Sequence, residues 1–174
     1  MTDESGLLRF YRHAGPDHRG RTLDDIRAYD ADRLEGIHDF IQWLFPLPEP
    51  SGANPHAPRL TQADIVAFES DAGLRRELRR SLQVMLGFYG LGLVDAPGAP
   101  RIGRAGNYAS RSAQWLARSH NFLRISRILR SLTLLGCAPE ARALLQCLEE
   151  IQRENAQDIA SDTLRYWRRA IEPR

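Results

Sequence analysis

The chain has no lysine: all 24 of its basic residues are arginine, a bias we assign first to the composition of the source genome. It has only two cysteines, Cys137 and Cys147. That excludes a disulfide framework, and the spacing and neighbours of the pair are not those of a zinc site. No apolar run approaches the ~20 residues that cross a bilayer, so a transmembrane segment is not expected. The opening MTDESGLLRF lacks a basic n-region and a long apolar stretch, so no secretory signal is read there. A reducing cytoplasm is the expected compartment. There is no GxxxxGK[ST] phosphate loop and no GxSxG, and neither cysteine has a histidine near it in sequence. No repeat period is visible, which argues against a solenoid. Sustained period-two alternation is also missing, and with it the signature of strands.

What is present is ordinary globular material: 174 residues, 43% hydrophobic and 26% charged. The net charge of +2 is unevenly placed. Residues 1–60 hold 7 Arg against 10 acids, residues 61–136 hold 11 Arg against 5, and residues 137–174 hold 6 against 7. A basic middle steers acidic partners or phosphate backbones, but such a stretch is more often a solvated helix face.

The stretch Leu34–Pro46, LEGIHDFIQWLFP, is the most unusual. At 100° per residue, Leu34, Ile37, Phe40, Ile41, Leu44 and Phe45 form a wide apolar arc, with Glu35, His38, Asp39 and Gln42 as a polar window opposite. One central helix over 34–45 is expected, capped by Asp30 or Asp32 and ended by Pro46. Before it, residues 7–11 form an apolar patch and HAGPDHRG a loop, and Thr22 caps a short helix to about Tyr29. After it, PLPEPSGANPHAPRL holds five prolines and is expected as a loop packed across the domain.

Thr61 and Asp64 have capping-box spacing. Asp71 is positioned to cap a helix running to about Tyr89 and ended by Gly90 and Gly92, with Arg75, Arg76, Arg79 and Arg80 on its polar face. LVDAPGAPRIGRAGNY is turn-rich, with a brief hairpin around Pro97 and Gly98. Helices are expected over Ser119–Leu135, stopped by Gly136, then from Pro139, and from about Asp158 to Ile171. The fold class expected is all-α: a single compact domain, residues 1–174, of about seven or eight helices.

HDFIQWLFPLPEPSGANPHAPRLT, then MLGFYGL, then HNFLRISRILRSLTLLG resemble, in this order, the conserved N-terminal region of the opioid growth factor receptor family. The resemblance covers residues 10–148. It implies a receptor-like protein unrelated to the seven-helix opioid receptors, whose animal member is described as a nuclear-envelope-associated receptor for a small enkephalin peptide. It transfers no catalytic or ligand residue. The repeat-bearing C-terminal part of that member has no expected counterpart here, and a lysine-free, domain-only chain is expected to be a bacterial-type member, for which an opioid ligand makes little sense.

The candidate ligand-binding set is His38, Asp39, Gln42, Trp43, Ser51, Asn54, His120, Asn121 and Arg124; of these, all but Trp43 and Ser51 are expected to converge because a buried polar group needs partners. The same residues serve equally well as a structural knot. No catalytic residue, cofactor or metal is expected: an adjacent His38–Asp39 pair directs its side chains about 100° apart on a helix, a weak metal signal. Glu35 and Asp39, at i,i+4, are expected to pair with arginine, with Arg124 or Arg127 as the obvious choice. A non-enzymatic domain for a peptide or protein partner is favoured. The alternatives are a nucleic-acid-associated protein using the arginine face, or a hydrolase using His38, Asp39 and His120.

Overall fold

The structure, a computed structural model, describes residues 4–94 and 98–173. Among these it has ten helices and one two-stranded antiparallel sheet, so the chain is mostly helical but not purely all-α. By its internal contacts it forms two compact units, Met1–Ser81 and Leu82–Arg174.

The first unit is built from short helices whose ends are tied by side chains. α1 (Gly6–Tyr11) is capped by Ser5, on a stretch where no helix is expected from the sequence. α2 (Leu23–Arg27) and α5 (Gln62–Ser70) each carry the full capping box, from Thr22 with Asp25 and from Thr61 with Asp64. Asp30 caps α3 (Ala31–Gly36), and the Asp71 carboxylate accepts from Gly73 N–H at 2.8 Å where α6 (Ala72–Tyr89) begins. The core joins Phe10, Tyr11, Phe40, Leu44 and Phe68, all fully buried. Tyr11 packs edge-on to Phe68 at 5.0 Å and donates its hydroxyl to the Leu44 carbonyl. Arg27 bridges to Glu77 at 2.7 Å.

A single helix over 34–45 does not form. α3 stops at Gly36, Ile37 is extended (φ −100°, ψ 129°), and α4 (Ile41–Leu44) is one turn. Glycine and a β-branched residue in succession are weak helix formers. The carbonyls that a continuous helix would bond to Gln42 and Trp43 N–H have other partners. His38 C=O accepts from Gln42 Nε2 at 3.3 Å, and Asp39 C=O from Asn54 Nδ2 at 3.1 Å. The proline-rich loop therefore supplies a donor at the break. It also closes on itself, Leu60 N–H donating to Leu47 C=O at 3.0 Å.

The second unit has longer helices and an apolar interior. α8 (His120–Leu134) packs on α9 (Ala138–Glu154) and α10 (Ser161–Ala170) through Ile125, Ile128, Leu129, Leu132, Leu144, Leu148, Ile151 and Trp167. α10 starts at Ser161 rather than near Asp158, because Ala160 is extended and residues 155–159 form a turn. β1 (Leu91–Val94) pairs with β2 (Arg101–Arg104), in register Gly92 to Gly103. The hairpin is where the sequence puts it, although Pro97 lies outside the described residues. Gly90 turns the chain out of α6 at φ +74°, and a Cβ there would come within 2.7 Å of the Tyr108 Cα. Gly92, expected as a second helix stop, lies inside β1. α7 (Tyr108–Trp115), unexpected from sequence, is anchored by Trp115, whose indole donates to Tyr89 C=O at 3.0 Å.

Candidate functional site

The loop DHRGR, residues 17–21, is folded around one carboxylate. Asp17 Oδ1 accepts from the backbone N–H of Arg19 at 2.8 Å and of Arg21 at 2.9 Å, while Oδ2 accepts from Arg21 Nε at 2.7 Å. Gly20, at φ +80°, closes the turn. With Asp17 fully covered, the Arg21 guanidinium is fixed in direction, and its Nη1 donates to Asp39 Oδ1 at 2.9 Å. Arg19 pairs with the other oxygen of the same carboxylate, and His18 Nε2 lies 3.7 Å from it.

Trp43 extends this chain. Its Nε1 donates to His18 Nδ1 at 3.0 Å. An indole nitrogen only donates, so His18 Nδ1 accepts and the neutral ring carries its proton on Nε2, toward Asp39. His56 stacks on His18 with centroids 5.6 Å apart. Partial burial opposes ionisation of Asp39, but the hydrogen bond and charge of Arg21, with Arg19 and His18, outweigh it and hold the carboxyl below its usual range. Burial likewise works against the charge on Arg21. Asp17 and Asp39 override it and raise its pKa further.

Of these residues, Arg19, Arg21 and Asp39 reach an open cleft of about 520 Å³, lined also by Tyr29, Gly36, Ile37, His38 and Ala53. The break between α3 and α4 makes this opening, since the lining includes Gly36 through Asp39.

Six of the nine candidate residues belong to the first unit and are connected. Asp39 and exposed His38 line the cleft. Gln42 and Asn54, both 4% exposed, bond the carbonyls of His38 and Asp39, and buried Trp43 holds His18. Ser51 Oγ accepts from Asn54 N–H at 3.2 Å and sets the turn that presents the Asn54 amide. His120, Asn121 and Arg124 belong to α8 in the second unit, where Asn121 and Arg124 are buried and His120 is half-buried in the first turn. Glu35 and Asp39 do not share a helix, so their i,i+4 relation does not arise. The partners of Asp39 in the first unit are Arg19 and Arg21, and helical periodicity points to neither. The available signal was the Asp-x-x-Gly-x turn spacing of DHRGR.

Among the described residues no group of three or more His, Cys, Asp or Glu side chains is arranged to hold a metal ion. No described helix is long and apolar enough to cross a membrane. Both cysteines are buried, and burial pushes the Cys147 thiol up to about 11.

The profile of the "Opioid growth factor receptor (OGFr) conserved region" matches residues 5–174. The human opioid growth factor receptor is 42% identical over 144 residues, 80% of this chain and 21% of that protein. The rat protein of the same name is 41% identical over 159 residues, 87% of this chain and 27% of its own length. Mouse opioid growth factor receptor-like protein 1 is 38% identical over 133 residues, 74% of this chain and 28% of the relative. The chain thus spans about a quarter of the length of these relatives. No solved structure matches it significantly.

Proposed function

This chain belongs to the opioid growth factor receptor conserved-region family, and on that premise we propose that it is a non-enzymatic binding domain for a peptide or small polar ligand. The observation that carries the reading is the cleft at the α3–α4 break, whose polar wall is held rigid by the Asp17–Arg21–Asp39 chain. Preorganised polar groups in a concave site are what a ligand of this kind requires. The relatives named receptors support a binding role in the same direction. His38, Asp39, Gln42, Trp43, Ser51 and Asn54 form the first set of binding residues in this proposal, and His120, Asn121 and Arg124 the second. The chain is further read as one cooperative domain of a bacterial-type member working in the cytoplasm.

The test is a random peptide library panned against the full chain, with recovered sequences remeasured as synthetic peptides by calorimetry. Saturable binding weakened about tenfold by His38→Ala, which removes an exposed cleft side chain, supports the proposal. Failure to recover any saturable binder overturns the peptide reading. The same peptides measured on His120→Ala and Arg124→Ala decide whether the second set takes part.

A further inference from the structure

The cleft wall holds more cationic donors than its one carboxylate uses. Asp39 is already bonded by Arg21, and Arg21 is held on its other side by Asp17. Arg19 is placed differently. Its side chain is 65% exposed, its Nε lies against Asp39, and its two terminal nitrogens make no hydrogen bond among the described residues. Asp17 and Asp39 together balance Arg21 and Arg19, so what the cluster offers the cleft is not net charge but the unbonded N–H groups of Arg19. His38 lines the same cleft, and His18 lies 3.7 Å from Asp39 with His56 stacked on it.

A guanidinium edge with two free nitrogens matches the two oxygens of a carboxylate in a planar fork. A monoanion fits better here than a phosphate dianion, whose second charge would meet Asp39 in the same wall. We propose that the cleft takes a carboxylate, with the terminal nitrogens of Arg19 as the recognising fork. Asp39 is the positioning residue that holds Arg19 at the cleft through Nε. This rests on the binding role proposed above and names the chemistry of the group bound.

Trp43 supplies the readout, because its indole N–H is bonded to His18, which faces Asp39. The Trp43 Nε1–H resonance of the full chain is followed while N-acetylglycine, N-acetylglycinamide or inorganic phosphate is added to wild type and to Arg19→Gln. Melting temperatures confirm that this exposed substitution leaves the fold intact. The expected result is a saturable shift with N-acetylglycine at about millimolar concentration, at least about tenfold weaker for the amide and for the variant. Equal responses to acid and amide, an undiminished response in Arg19→Gln, no saturable response, or phosphate binding as tightly as the acid would each overturn the proposal. A library peptide that binds the cleft without a carboxylate overturns the carboxylate specificity and leaves the binding role standing. A specific N-acetylglycine shift supports the subsite even where the library yields no peptide.

Discussion

The two units secure their helices in different ways. In the first, α1, α2, α3 and α5 run from five to nine residues and each has a side chain bonded to its N-terminal backbone. In the second, α7, α8, α9 and α10 run from eight to 17 residues and none has a side-chain cap bond. A helix of one or two turns leaves most of its N–H and C=O groups without helical partners, so caps and ion pairs decide where it starts and stops. A helix of four turns is held mainly by burial of its apolar stripe. The candidate cleft lies in the unit of short helices, since a chain interrupted every few residues leaves backbone and polar side chains at its breaks.

The contrast can be broken most strongly in the second unit. Trp115→Ala empties a fully buried site and strands the Tyr89 carbonyl, so a loss of about 3–5 kcal/mol is expected by urea denaturation. In the first unit the largest effect should come from Asp17→Ala, which removes three hydrogen bonds and an ion pair at the covered end of the loop and leaves Arg21 short of a partner. A loss of about 3 kcal/mol is expected, and a value below about 1 kcal/mol would show that the loop does not depend on its ion pair.

Caps give a smaller and sharper comparison. Thr61→Ala should cost about 1 kcal/mol, because the hydroxyl accepts from Asp64 N–H, whereas Ser119→Ala before α8 should stay within about 0.5 kcal/mol. Equal costs at the two sites would erase the distinction between the units.

The smallest expected effect is one of pH. The Asp39 carboxyl sits below its unfolded value, roughly 3.9, so its contribution to stability is fully present above that value. It is lost as pH falls through the lower folded value. Urea midpoints followed by tryptophan fluorescence should therefore decline below about pH 4, with a shallower decline in Asp39→Asn. A decline of the same steepness in both proteins would assign it to other carboxylates, Glu77 among them, which Arg27 also holds low against the opposing effect of burial.

Thr22, Asp30, Thr61 and Asp71 could be read as caps from the sequence because a cap bonds within three residues of itself, and Asn54 could be singled out for its setting in the proline loop. α8 and α9 were legible because their stripes repeat over four turns. The loop DHRGR was not, since its purpose depends on Asp39, 18 residues beyond Arg21.

Periodicity and cap spacing by themselves determined a largely helical chain, its longest helices and its caps, and the order of three motifs carried the resemblance to the family. The break at Ile37 was decided only by tertiary structure. Residues 34–45 have a flawless helical period, yet the Asp39 carbonyl is bonded by the amide of Asn54, 15 residues away, and its carboxylate by Arg21. A helical hydrogen bond and a side-chain amide compete for the same carbonyl on nearly equal terms, so the outcome depends on what the fold brings to that carbonyl. That competition opens the cleft, and no pattern local to the segment records it.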